Sequence, residues 1–246
     1  MFFFLPMPIM AWSNILIIHI LAAIIPAVLL LRYVYKHDTI EKEPPMLIWS
    51  LVLRGVLAAM CSIVLERIGS WLLNRTVDQS SPYYVIILAF LVVAVIEEGT
   101  KLFFLDQRVW NDWNFTHLYD GIVYSVAVSL GFAAFENIRY VLSYGLQVAL
   151  PRAVTAIPGH LGFSVFMGVF FGRAKLCEAQ RDPSGRRFNL AMAYLSAVFL
   201  HGFYDACAMI GTTTANVLFV VFIVAMYICV YRLIKKSSFH DRPLYY

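Results

Sequence analysis

Seven apolar stretches, each long enough to cross a lipid bilayer, follow one another along the chain at about 1–31, 46–73, 83–105, 117–143, 153–172, 188–211 and 215–231. A spanning helix takes roughly 20 apolar residues, so these stretches read as seven transmembrane helices with short connections. They lack the period-two alternation of strands, and a barrel would need many segments of about ten alternating residues. The expected fold is all-α: a polytopic transmembrane helical bundle making one domain over 1–246. Only 14% of the residues are charged and 61% are hydrophobic, whereas a soluble domain carries about 25% charged residues. That excludes a water-soluble monomer. The formal charge of +4 is small and scattered, so no nucleic acid is expected as a partner.

Orientation follows from the basic residues. Connections on one side carry Arg32, Lys36 and Lys42, then Arg108, then Arg173, Lys175, Arg181, Arg186 and Arg187, then the tail with Arg232, Lys235, Lys236 and Arg242. The other side has Arg75 and Arg152. The positive-inside rule then places the amino terminus outside and the carboxyl terminus in the cytoplasm. The first stretch has no basic residue before Arg32 and is too long for a signal peptide, so it reads as an uncleaved span. The longest internal loop is expected at 173–187, where DPSGRR at 182–187 is turn chemistry. Cys61, Cys177, Cys207 and Cys229 are widely separated, have no zinc spacing, and read as packing residues.

Charge at membrane depth is the functional signal. The third span carries Glu97, Glu98 and Lys101, the fourth Glu136 and Arg139, the fifth His160, and the sixth His201 and Asp205. A charge at mid-bilayer costs about 2.5–3.5 kcal/mol even on the lenient insertion scale, so these groups must face one another or water. Lys101 lies four residues after Glu97 and three after Glu98, and one ammonium can reach both carboxylates from the same helix face. It offsets one of the two charges, leaving the other as a candidate base or acid. His201 and Asp205 are also four apart, which lets Asp205 orient the imidazole. Gly121, Ser125, Ser129 and Ala133 form a small-residue stripe that permits close helix packing and aims Glu136 inward, and Gly168 with Gly172 reads as a packing GxxxG. Pro158 and Gly159 are expected to loosen the fifth helix just before His160.

Blander readings stand beside several of these. A lone imidazole in a span is ordinarily a packing residue, Glu66 with Arg67 reads as an interfacial pair, and Phe132 as an apolar wall. Asp120 reads as a water-facing helix-start carboxylate as readily as a functional one. Glu97, Glu98, Glu136, His160 and His201 together are harder to dismiss, because four helices each supply a costly group. Counting along the spans puts Glu97 and Glu98 slightly inward of the midplane, His201 near it, and Glu136 and His160 in the outer half, close enough to share a cavity.

Such a set offers a general base, an acid and either an oxyanion clamp or metal ligands, enough to activate water against an amide. No GxSG, GxSxG, GxGD or HExxH accompanies it, so three familiar routes to proteolysis lack their signatures. EEGTK at 97–101, GFAAFEN at 131–137, PGH at 158–160 with the following GVFFG, and HGFYD at 201–205 resemble, in order, the motifs of the PrsW family of intramembrane proteases. EKEPP at 41–45 and YDGIVYS at 119–125 are similar to its pattern as well.

The resemblance implies an endopeptidase of the bacterial cytoplasmic membrane that cuts membrane-anchored proteins, often at the first step of regulated proteolysis. It further implies Glu97, Glu98, Glu136, His160 and His201 as catalytic residues, supported by Lys101 and Asp205. The related CAAX prenyl endopeptidase and bacteriocin-processing proteins usually have a histidine in the second motif and an HxxxN-like pair in the last, where this chain has Glu136 and Asp205.

Two mechanisms remain open from the sequence. In one, Glu97, assisted by Glu136, deprotonates a water, while His160 and His201 stabilise the oxyanion or protonate the leaving amine. In the other, His160, His201 and Glu136 bind zinc, since two histidines, a glutamate and a water make an accepted catalytic set. Outside hydrolysis, a proton-coupled transporter or channel could use the same groups, although no inverted repeat is visible, and a catalytically silent membrane scaffold is a third reading.

Overall fold

The computed structural model describes residues 9–244, with side chains from 16 onward; the start of the first apolar stretch lies outside the described residues. Helices α1 (Ile9–Lys36) and α2 (Pro45–Thr76) come first. The third pass runs from 84 to 109 without a break, as α3 (Tyr84–Ile87), a π-helical segment (Leu88–Ala94) and α4 (Val95–Val109). Then come α5 (Asp120–Tyr144), a 3-10 turn (Leu146–Val148), the short α6 (Ala149–Val154), α7 (Ala156–Ala179), α8 (Pro183–Ile210) and α9 (Thr213–Phe239). The chain is all-α and crosses the bundle seven times. Among the described residues, six helical stretches are long and apolar enough to span a bilayer; the third pass falls outside that set, being segmented and carrying Glu97, Glu98 and Lys101.

The bundle is built around α5. Every residue from 120 to 133 is buried, and α5 packs on α1, α2, α4 and α7. Of the most apolar window of α5, 78% is buried inside the protein, against 22% for α9 and 17% for the described part of α1, so those two lie outermost. Their exposed side chains are Leu29, Val217, Val220 and Val221 among others. An apolar outer surface is what a lipid solvent requires and what water would penalise.

The small-residue stripe does pack. A methyl group added at Gly121 would lie 2.7 Å from the Gly168 carbonyl oxygen and 2.7 Å from the Gly172 nitrogen, so α5 and α7 touch backbone to backbone. Ser125 Oγ donates to the Ser164 carbonyl at 2.8 Å and Ser129 Oγ to the His160 carbonyl at 3.0 Å. Small residues and crossing hydroxyl bonds take over the role of hydrophobic burial where lipid is the solvent.

Two expectations about helix ends need correction. The 173–187 loop is instead mostly helix: α7 continues to Ala179 and α8 begins at Pro183, with Asp182 capping it by accepting from the Gly185 N–H at 2.9 Å. Asp-Pro opened a helix there, as Pro at the first helical position and Asp before it favour. The interruption before His160 lies earlier than Pro158, at Thr155 (φ −124°, ψ −65°), where α6 meets α7. Pro158 then falls in the first turn of α7, where a missing N–H costs little. At the far end of α8, Gly211 (φ 73°) closes the helix in the left-handed region and Thr212 caps α9 through the Ala215 N–H.

Candidate active site

Glu97, Glu98 and Lys101 lie in the first two turns of α4, all buried. Lys101 Nζ donates to Glu97 Oε2 at 3.1 Å and to Glu98 Oε1 at 2.7 Å, and rests 4.0 Å from the centre of the Phe132 ring. Phe132 is thus a wall, as its apolar character suggested, and also a seat for the ammonium. Lys101 Nζ is 3.2 Å from His160 Nδ1. An ammonium only donates, so Nδ1 accepts and the imidazole proton sits on Nε2. Nε2 in turn donates to Glu136 Oε2 at 3.1 Å.

His201 is held from three sides. Its Nδ1 lies 2.8 Å from Glu98 Oε1, and a carboxylate can only accept, which places a proton on Nδ1. Its Nε2 faces Asp205 Oδ2 at 3.4 Å and Glu97 Oε2 at 4.0 Å. The ring stacks on Phe163 (4.8 Å, 18°) and stands perpendicular to His160 (5.3 Å, 83°). Asp205 does approach the imidazole, yet the shorter contact comes from Glu98, across 103 positions of chain.

All five candidates therefore meet. Glu97, Glu136, His160, His201 and Asp205 line one cavity of about 500 Å³, within the usual size of ligand pockets. Glu98 and Lys101 sit behind that lining, tying Glu97 and the two histidines together.

Sequence reasoning missed two side chains here, Glu66 and Arg152, and was right that Arg139 turns inward. Glu66 and Arg139 also line the cavity, so Glu66 is not simply half of an interfacial pair with Arg67. Arg152, expected in an outer loop, turns inward from α6: its Nη2 donates to Glu136 Oε2 at 2.8 Å and its Nε to Asn137 Oδ1 at 2.8 Å. Asn137 Nδ2 carries the network on to the Ala23 carbonyl of α1 at 3.0 Å. Asp120 is a further correction. It is buried, 1% exposed, instead of facing water.

The residues also suit a metal, though not the set first expected. Glu97, Glu98, His160 and His201 each present one donor atom within 4.8 Å of the others. Glu136 falls outside that group, and its Oε2 is engaged by His160 and Arg152. Glu98 Oε2 is buried without a hydrogen-bond partner, an orphaned acceptor of the kind a cation would satisfy. Two imidazoles and two carboxylates match zinc's preferences. The Lys101 ammonium, within 3.2 Å of three of the four, already supplies positive charge there.

Comparison with known proteins identifies the family. A family model described as PrsW family intramembrane metalloprotease matches residues 43–231. The chain is 34% identical to Protease PrsW of Geobacillus kaustophilus over 90% of its own length and 93% of the relative's. Against Protease PrsW of Clostridioides difficile it is 30% identical, over 92% and 94%. Against that of Bacillus subtilis it is 30% identical, over 75% and 79%. No solved structure matches the chain.

Proposed function

Since the chain belongs to the PrsW family of intramembrane proteases, we propose that it hydrolyses peptide bonds of membrane-anchored proteins with a water activated by Glu97. The observation that carries this reading is the convergence of Glu97, Glu136, His160 and His201 on one cavity within the helical bundle. Glu97 takes the water proton as the oxygen attacks the scissile carbonyl, and returns it to the leaving amine. Lys101 keeps Glu97 in place and balances the charge of the pair. His201 presents Nε2 to the cavity, with Glu98 fixing the ring through Nδ1 and Asp205 beside Nε2; in that position Nε2 donates to the developing oxyanion or to the amine. Glu136, gripped by Arg152 and His160, holds His160 as the second wall of the site. Its carboxylate lies on the far side of His160 from Lys101 and assists Glu97 by its charge.

Glu97, Glu98, His160 and His201 would hold zinc, which when bound would supply Lewis acidity to the scissile carbonyl. The relatives' protease names favour hydrolysis over proton-coupled transport with the same groups. Basic residues at the helix ends flanking the α1–α2, α4–α5 and α7–α8 connections, and in the tail, support a cytoplasmic carboxyl terminus. In that orientation the site lies toward the outer half of α5 and α7, which suits a cut near the outer boundary of a substrate helix.

The test is reconstitution in vesicles with a single-span substrate, reading products by mass spectrometry and proton flux in parallel. Glu97→Gln should lower cleavage by about 10²–10⁴-fold, the range of a lost general base, with flux unchanged. Undiminished cleavage, or altered flux without product, would overturn the proposal. Stoichiometric zinc in purified protein, together with loss of cleavage on chelation and recovery on zinc return, would move water activation from the free carboxylate to the metal.

A further inference from the structure

A second group of acids lies at the other end of α5, about 24 Å along the helix axis from Glu136 at 1.5 Å per residue. Asp38 and Glu43 belong to the connection between α1 and α2, and Asp120 opens α5. All three are buried, at 1%, 3% and 1% exposure. Each presents a carboxylate oxygen within 4.8 Å of the other two.

None of the three pairs with Lys or Arg among the described residues. Lys42 Nζ turns back to the Tyr35 carbonyl at 3.4 Å, and His117 Nδ1 faces Glu41, not the trio. Four oxygens are left buried without a partner: both of Asp38, Oε2 of Glu43 and Oδ1 of Asp120. Asp120 Oδ2 is engaged separately, accepting the Thr116 and His117 N–H groups at 2.9 and 2.7 Å. That pair of bonds fixes the Asp120 side chain through Oδ2 and leaves Oδ1 unpartnered. Buried carboxylates without partners are costly.

We propose that Asp38, Glu43 and Asp120 form a binding site for one hard divalent cation, of the magnesium, manganese or calcium type, which fastens the α1–α2 connection to the start of α5. Three carboxylates with no imidazole or thiolate select oxygen-seeking ions over zinc. Oxygens on opposite sides of such an ion are about 4–5 Å apart, given ligand distances of about 2.0–2.6 Å, which the observed spacing allows. The carboxyl-terminal tail passes over the same place: Asp241 Oδ1 accepts the Tyr119 N–H at 2.9 Å, and Leu118 N donates to the Arg242 carbonyl at 3.1 Å. The cation would therefore fasten two segments remote in sequence at the place where the tail also docks. This site is independent of the cleavage chemistry.

The experiment uses the full chain, purified in detergent and stripped of metal, with its melting temperature followed as magnesium, manganese or calcium is added. Saturable stabilisation by one of them is expected, about 5–10 °C at a hundredfold excess over Kd. Asp38→Asn and Glu43→Gln should abolish the shift, and Glu97→Gln should keep it. If either acid-trio variant fails to fold, manganese resonance on wild type and Glu97→Gln decides, with one tight ion per chain expected in both. The proposal is overturned if no ion shifts wild type, if Asp38→Asn retains the shift, or if the ion is lost with Glu97→Gln. It is equally overturned if Asp38→Asn simply stabilises a cation-indifferent protein, the mark of carboxyls sharing protons.

Discussion

Replacing Lys101 by methionine keeps most of the stem's volume and removes its charge. Three polar contacts go with it, to Glu97, Glu98 and His160, along with the Phe132 ring contact. Lys101 and Glu98 are 1% and 0% exposed, so solvent cannot replace what is lost. Breaking a buried ion pair by removing one partner costs about 3–5 kcal/mol, which at about 1.4 kcal/mol per factor of ten lowers the folding constant by about two to three and a half orders. Glu98→Gln alone should cost less, since the amide oxygen still accepts from His201 Nδ1. In the double variant the unpaired charge is halved, so its cost should fall short of the sum by about 2–3 kcal/mol, within the range seen for groups in one network. Reversible SDS titration in mixed micelles measures all four corners of this cycle. A Lys101→Met loss below about 1 kcal/mol, or a double variant additive within about 0.5 kcal/mol, would refute the idea that Lys101 neutralises the glutamate pair.

Further outcomes are expected from the packing and from the outer edge of the site. Gly168→Ala should destabilise by about 1–3 kcal/mol, because its new methyl group would lie 2.5 Å from the Gly121 carbonyl oxygen and 2.6 Å from Ile122 Cα. Gly159→Ala, meeting only the Tyr204 and Phe163 rings at 3.4 Å or more, should stay within about 1 kcal/mol of wild type in the same titration. Arg152→Gln should lower cleavage at least tenfold by releasing Glu136. Arg152→Lys should restore only part of it, since one ammonium on a flexible stem cannot reproduce the planar fork that reaches Glu136 and Asn137 together; rates against a single-span substrate read both.

The seven passes were legible because lipid imposes a length, and a run of about 20 apolar residues has few other uses. The Glu97, Glu98 and Lys101 contacts were legible for a similar reason: helical periodicity alone brings residues three and four apart together. What crosses between helices left no such trace. Nothing local marks Glu98 as the partner of His201, or Arg152 as the partner of Glu136, because α6 is a short element whose direction is set by the break at Thr155. Glu66 was discounted beside Arg67 because adjacency in sequence suggested a pair, while on a helix neighbours point in different directions. Asp120 looked water-facing since carboxylates favour helix starts, and only the fold reveals that the α1–α2 connection and the tail close over it.

The π-helical segment Leu88–Ala94 sets the phase of the third pass. Ala89, Val92 and Ala94 are buried there, the first and last of them five apart, the step of i→i+5 bonding. One surplus residue absorbed into a helix rotates everything beyond it by about 100°, a single step of 3.6 per turn. Leu91 can therefore look out at lipid, 65% exposed, while the glutamates a turn and a half later point inward. The widened coil works as an angular offset between the part of the rod that anchors and the part that reacts, and the two can be dialled separately without touching the length of either.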